Sequence, residues 1–154
     1  SSHRRQRQMC IRDRAEALLF CAQRSQLIEE VVLPSLNNGI VILSDRSAYS
    51  SVAYQGEGRG IGYEKIYQLN DISIQSNWPE RVVLLDIDPE VSLSRQQVAD
   101  RIGSDKVEFF QKVRKGYLKL AEEFKDSFLI LNAENNIEVN IEAICNWLEI
   151  DNSK

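Results

Sequence analysis

Residues 39–62 read GIVILSDRSAYSSVAYQGEGRGIG. The stretch 40–44 is a short apolar run rich in β-branched residues, bounded by Gly39 and Asp45. A continuous run of that kind predicts a buried strand of a parallel sheet. The remainder, 45–62, holds four of the chain's seven glycines and reads as a loop. A buried strand feeding a charged, glycine-rich loop fits an open α/β sheet, in which ligands bind at the carboxyl ends of strands.

The flanking sequence extends this pattern. Upstream, AEALLFCAQRSQLIEEVVLPSLNN (15–38) places Leu18, Leu19, Cys21, Ala22, Leu27, Ile28, Val31 and Val32 near helical spacing. It predicts a long helix whose last turn Pro34 bends or tightens. Asn38-Gly39 ends it, because glycine tolerates the left-handed cap. Downstream, a helix is predicted over 63–74 with Ile66, Leu69 and Ile72 as its apolar side, broken at Asn77-Trp78-Pro79. RVVLLDI (81–87) is a second strand. Asp88-Pro89-Glu90 has the form of a helix start: Asp as N-cap, Pro at the first position, Glu in the first turn. A helix over about 105–124 carries Phe109, Phe110, Val113, Tyr117, Leu120 and Phe124 as a core stripe. SFLIL (127–131) is a third strand, and 137–149 a closing amphipathic helix. Strands alternating with helices imply an α/β layer fold with a parallel sheet.

Composition narrows the chemistry. The chain has 154 residues, 43% hydrophobic and 27% charged, which suits a globular domain rather than a disordered one. No apolar run approaches the ~20 residues that cross a bilayer, so no membrane role is expected. Three scattered cysteines with no C-x-x-C motif fit a reducing compartment, and a cytoplasmic location is expected. The one histidine is His3, so residues 4–154 hold no Ser-His-Asp triad, Cys-His dyad or His-ligated metal site. Phosphoryl transfer is the leading reaction that needs cations and positioning more than a general base. The net charge of −4 joins two unlike parts. Residues 1–14 hold five arginines against one aspartate and read as a disordered or foreign leader outside the domain, which is taken as 15–154. The rest holds 14 basic and 22 acidic residues, which argues against nucleic-acid binding.

Three places lie after predicted strands: Asp45-Arg46, Asp86 with Asp88, and Asn132. Asp45-Arg46 is either a structural ion pair that caps the loop or a ligand-facing pair. GEGRGIG (56–62) has no closing Gly-Lys-Ser/Thr and no G-x-G-x-x-G register, so it reads as a surface loop that lets backbone pass close to a neighbour. Phe20 and Arg24, four apart, share a helix face. They read either as a core Phe beside a surface Arg or as an aromatic platform with a donor fork for a planar base. Arg95 and Arg101 flank a polar segment between helices. It is either a solvated helix end or a closing lid that neutralises phosphate charge.

In order and spacing, LLFCAQRSQ, LSDRSAYSSVAYQGEGRGIG, LLDIDPEVSLSR and DRIG…EFFQKVRKGYLKLA resemble bacterial thymidylate kinases over roughly 15–150. The most specific piece is D-R-x-x-x-S-S-x-A-Y-Q-G-x-G-R-G. The resemblance implies a phosphoryl transfer from ATP, with Mg2+, to dTMP, giving dTDP. It implies that Phe20 stacks on thymine and that Arg24 bonds the base edge. Arg46 would grip the dTMP phosphate, and Asp45 would order that Arg or metal-bound water. Ser51 would contact the base, Tyr54 would pack on the deoxyribose and Gln55 would sit beside the nucleotide. Arg95 and Arg101 fall in the family's lid, about 95–104, which is shorter here than in many members. A homodimer through the 15–36 helix is also implied. The departure from the family is the phosphate-binding G-x-x-x-x-G-K-[ST] loop, which the sequence does not contain. The expected fold is therefore a partial P-loop nucleoside-monophosphate kinase, three-layered, with a parallel sheet lacking its first two strands. Without the loop's N–H cradle and Lys, a strong ATP site and catalysis by this chain alone are not expected. The alternatives are a kinase for another nucleoside monophosphate and a degenerate, non-catalytic nucleotide-binding module.

Overall fold

A computed structural model describes the backbone of residues 2–95 and 104–150 and the side chains of 13–95 and 106–150. The chain falls into two compact units, Ser1–Trp78 and Pro79–Lys154.

The first unit is helical. Helix α1 spans Ser2–Leu27 and passes through a wide π-helical turn, Ile28–Val32, into α2, Leu33–Asn37. Pro34 sits in the first turn of α2, directly after the π-helical turn. Gly39, at φ 72°, closes the run as the spacing predicts. The backbone of 2–14 is helical too. The buried side of this run is Ala17 and Cys21 on α1 and Ile28 in the π-helical turn, while Leu18 and Leu19 face outward. That stripe follows the i, i+4, i+11 rhythm of one helix face.

Two expectations for 39–62 are corrected. Residues 40–44 form no strand: Val41 and Leu43 are 92% and 98% exposed. An apolar, β-branched run becomes a strand only where another strand takes its N–H and C=O groups, and no described segment pairs with it. The expected loop is instead largely helical, with α3 at Ala48–Ser51 and a π-helical stretch at Val52–Gly58. Ser47 starts it, its Oγ accepting the Tyr49 N–H at 3.3 Å. Gly56 lies where an added Cβ would meet the Tyr63 Cα at 3.2 Å, so close backbone approach is this glycine's use.

Helix α4, Tyr63–Ser73, matches the predicted span closely. Its buried face differs: Tyr63, Ile66 and Asn70 point inward with Ile74 just beyond, and Ile72 is exposed. Val52 and Ala53, fully buried, fill the centre of the unit; one buried valine contributes roughly 1.5–3 kcal/mol. The Trp78 ring lies 4.5 Å from Tyr49 and 4.6 Å from Tyr67, and its indole N–H donates to Asp71 at 2.7 Å.

The second unit is α/β. Strand β1, Val82–Asp86, pairs in parallel with β2, Phe128–Asn132, in the register Val82 with Phe128 through Asp86 with Asn132. Parallel neighbours need a crossover. Helix α5, Pro89–Arg95, begins it as expected, with Asp88 Oδ1 accepting the Glu90 N–H at 2.8 Å. Helix α6, Ser104–Glu123, returns the chain and buries Val113, Leu120 and Ala121 from the predicted stripe's side. Helix α7, Ile137–Trp147, closes the unit behind an Asn136 cap. The architecture is α/β with a small parallel sheet, two strands among the described residues rather than the three read from the sequence.

Candidate functional site

The first unit gathers most of the predicted residues. Phe20, 38% exposed, stands on α1 one turn before Arg24, and the guanidinium carbon lies 5.8 Å from the Phe20 ring centre. Arg24 does not extend into solvent as a surface arginine would. Its Nη1 donates to Ser51 Oγ at 2.7 Å and to Asn70 Oδ1 at 2.9 Å, and its Nη2 reaches the Ser47 carbonyl at 3.4 Å. The pair therefore forms an aromatic face beside an oriented cation, supported from α3 and α4. Ser51 is 2% exposed and spends its hydroxyl oxygen on Arg24, so it supports the platform. Gln55, also buried, donates to Glu16 Oε1 at 3.2 Å.

Arg46 and Tyr54 form a second contact, with the guanidinium 5.2 Å from the ring centre. Asp45 and Arg46 are both exposed, so the desolvation that would demand a structural ion pair is absent. Arg46 has φ 67°, a left-handed conformation that costs a non-glycine residue roughly 1–2 kcal/mol. Ser44 Oγ donates to the Arg46 carbonyl at 2.7 Å and helps hold it there.

In the second unit, the two strand ends singled out by position serve structure. Asp86 takes a bidentate pair from Arg114, with Nε and Nη2 each at 2.8 Å, and Asp88 Oδ2 lies 3.4 Å from Nη1. The Asp86 hydrogen bonds raise the Arg114 pKa further above its ordinary range. Asn132 Oδ1 accepts the Glu134 N–H at 2.8 Å. Arg95 is exposed and pairs loosely with Glu134 at 3.4 Å. Arg101, the other lid arginine, lies outside the described residues.

Sequence reasoning missed Asn70 and Arg114. The signal for Asn70 was legible: it stands four residues after Ile66 and four before Ile74, a polar residue in an apolar stripe. Arg114 sits likewise between Val113 and Tyr117 of the α6 stripe. Among the described residues, no three His, Cys, Asp or Glu gather to hold a metal.

A family model described as thymidylate kinase matches residues 4–144. Proteins named thymidylate kinase are similar over 141 residues, 88% of this chain. The one from Lactobacillus acidophilus is 38% identical and 65% covered, and that from Bacillus thuringiensis is 37% identical and 68% covered. A Bacillus cereus relative of the same name is 38% identical, with the same two shares as the Bacillus thuringiensis protein. The chain thus spans about two thirds of the length of these relatives.

Proposed function

Because the chain belongs to the thymidylate kinase family, we propose that it supplies the dTMP site of an enzyme that transfers the γ-phosphoryl group of ATP to dTMP, yielding dTDP and ADP. The observation that carries this reading is Arg24, held beside the Phe20 ring by Ser51 and Asn70. A ring face with a fixed, charged donor at its rim matches a planar base bearing an acceptor at its edge.

The rest of the site follows from the same placement. Phe20 stacks on thymine and Arg24 bonds its exocyclic carbonyl. Arg46, exposed and strained, grips the phosphate, while Tyr54 beneath it packs on the deoxyribose. Gln55 flanks the nucleotide, and Asp45 orders Arg46 or metal-bound water. The acceptor phosphate is already ionised near neutral pH, so one of its oxygens attacks the γ-phosphorus directly and the ADP oxygen departs. No histidine is needed; cations and alignment carry the barrier reduction. Arg95 and Arg101 are assigned to the charge on the transferring group. Mg2+ enters with ATP.

The 154 residues include no G-x-x-x-x-G-K-[ST] loop. Turnover by this chain on its own is therefore not expected, and binding is the property to measure. A homodimer through 15–36 is supported by outward Leu18 and Leu19, 56% and 71% exposed. Thermal shift with dTMP, dUMP, UMP and dCMP tests the substrate. A shift largest for dTMP is expected, since binding raises stability as RT ln(1 + [L]/Kd). A larger shift with UMP contradicts the thymidylate assignment.

A further inference from the structure

We infer that Asn70 is a positioning residue that gives the site its discrimination between a carbonyl and an amino group on the pyrimidine. Asn70 is fully buried, on the inward face of α4 with Tyr63 and Ile66. A leucine would satisfy packing there without polar atoms to place. Its amide is used at both ends. Nδ2 donates to the Ile66 carbonyl at 2.8 Å, one turn back on the same helix. That bond fixes which end faces outward, so Oδ1 is the atom presented to Arg24. Oδ1 accepts from Arg24 Nη1 at 2.9 Å, across 46 residues of chain. The same Nη1 donates to Ser51 Oγ at 2.7 Å.

A guanidinium Nη carries two hydrogens, and these two acceptors use both. Rotating the guanidinium plane would break both bonds at once. Both acceptors are neutral, so they orient Arg24 without cancelling its charge. A cation held in this way meets a thymine carbonyl as donor to acceptor. An amino group at the same ring position meets it as donor to donor. Without the Asn70 acceptor the Ser51 and Ser47 oxygens remain, but a guanidinium with one tie fewer relaxes from that clash more readily, and the preference fades.

The inference rests on reading Phe20 and Arg24 as the base site, and the experiment separates the two. Calorimetric titration compares dTMP with 5-methyl-dCMP, which differ in that exocyclic group and in the proton on the neighbouring ring nitrogen N3. The chain is tested as wild type, Asn70→Leu, Asn70→Thr, Asn70→Asp, Arg24→Ala and the double variant Asn70→Leu with Arg24→Ala. Threonine returns its hydroxyl to the Ile66 carbonyl but is too short for Arg24, so it replaces leucine if that variant does not fold. Wild type should prefer dTMP. Asn70→Leu or Asn70→Thr should reduce the preference about tenfold, the scale of one hydrogen bond to a charged group. Asn70→Asp keeps an acceptor for Arg24 but loses the donor to Ile66 and cancels part of the charge, so it should fall between wild type and Asn70→Leu. Once Arg24 is alanine, Asn70→Leu should change the preference less than about twofold. Equal weakening of both nucleotides by Asn70→Leu and Asn70→Thr, or an undiminished effect without Arg24, reduces Asn70 to a core tie and overturns the inference alone. Failure of the wild type to prefer dTMP overturns the base-site reading itself, and the inference with it.

Discussion

Arg46 and Arg24 carry positive charge in different ways, and substitutions should separate them. Arg46 is exposed, with φ at 67° and its guanidinium 5.2 Å from the centre of the Tyr54 ring. Glycine at that position loses the cation–π contact but removes the left-handed strain. Arg46→Gly should therefore leave unfolding free energy within about 1 kcal/mol of wild type. The same variant should weaken dTMP binding tenfold or more, since a charge-assisted phosphate contact is lost. Chemical denaturation and calorimetry on one preparation check both; dTMP affinity equal to wild type contradicts the role. Arg24→Ala should weaken dTMP less than Arg46→Ala, because its partner is a neutral base edge. Equal and small effects from both changes count against the assignment. The Phe20–Arg24 pair was legible from its four-residue spacing alone. What holds Arg24 was not, because Ser51 and Asn70 come to it from 27 and 46 residues away.

Elements were legible where local chemistry decided them. Asp88 announces the start of α5, and its side chain caps as read; Asn136 caps α7 in the same way, a signal the sequence reading left unused. β-branched character could not decide 40–44, because a strand is a property of two segments. Leu43, 98% exposed, gives a direct check. Leu43→Lys should change stability by less than about 0.5 kcal/mol in urea unfolding, as exposed positions do. A loss above about 2 kcal/mol would mean that 40–44 is buried as a strand. Helix α1 shows the complementary limit. Its apolar spacing identifies a helix, but with Leu18 and Leu19 adjacent the pattern does not select the inward face. Between α6 and β1, the bidentate Arg114–Asp86 pair ties helix to strand. Arg114→Lys should lower stability by about 1 kcal/mol, since an ammonium cannot reproduce two parallel N–H bonds. Unchanged urea midpoints would show that the fork geometry contributes nothing.

At the scale of the molecule, a parallel α/β sheet was legible from element order, whereas the pairing of 82–86 with 128–132 is seen only in the structure. The division at Trp78 and Pro79 was not, because Asn77-Trp78-Pro79 reads only as a helix breaker. Stability in alkali should follow Tyr49, whose pKa burial raises from 10.0 to about 12, with Tyr67 adding to the rise. The neutral phenol is favoured in the folded state. Its contribution is complete below pH 10, fades as pH rises and is lost above about 12. Two units correspond to roughly 2–3 kcal/mol. Tyr49→Phe should flatten the fall in melting temperature between these pH values; an unchanged alkaline profile assigns the transition to another group. The central claim is that this chain holds the base and phosphate of dTMP. Calorimetric titration of the purified chain with dTMP, dUMP, UMP and dCMP tests it most directly. One dTMP should bind per chain, ahead of the other three, with affinity lost in Arg24→Ala and Arg46→Ala. Preference for UMP, or dTMP binding indifferent to both arginines, would contradict it.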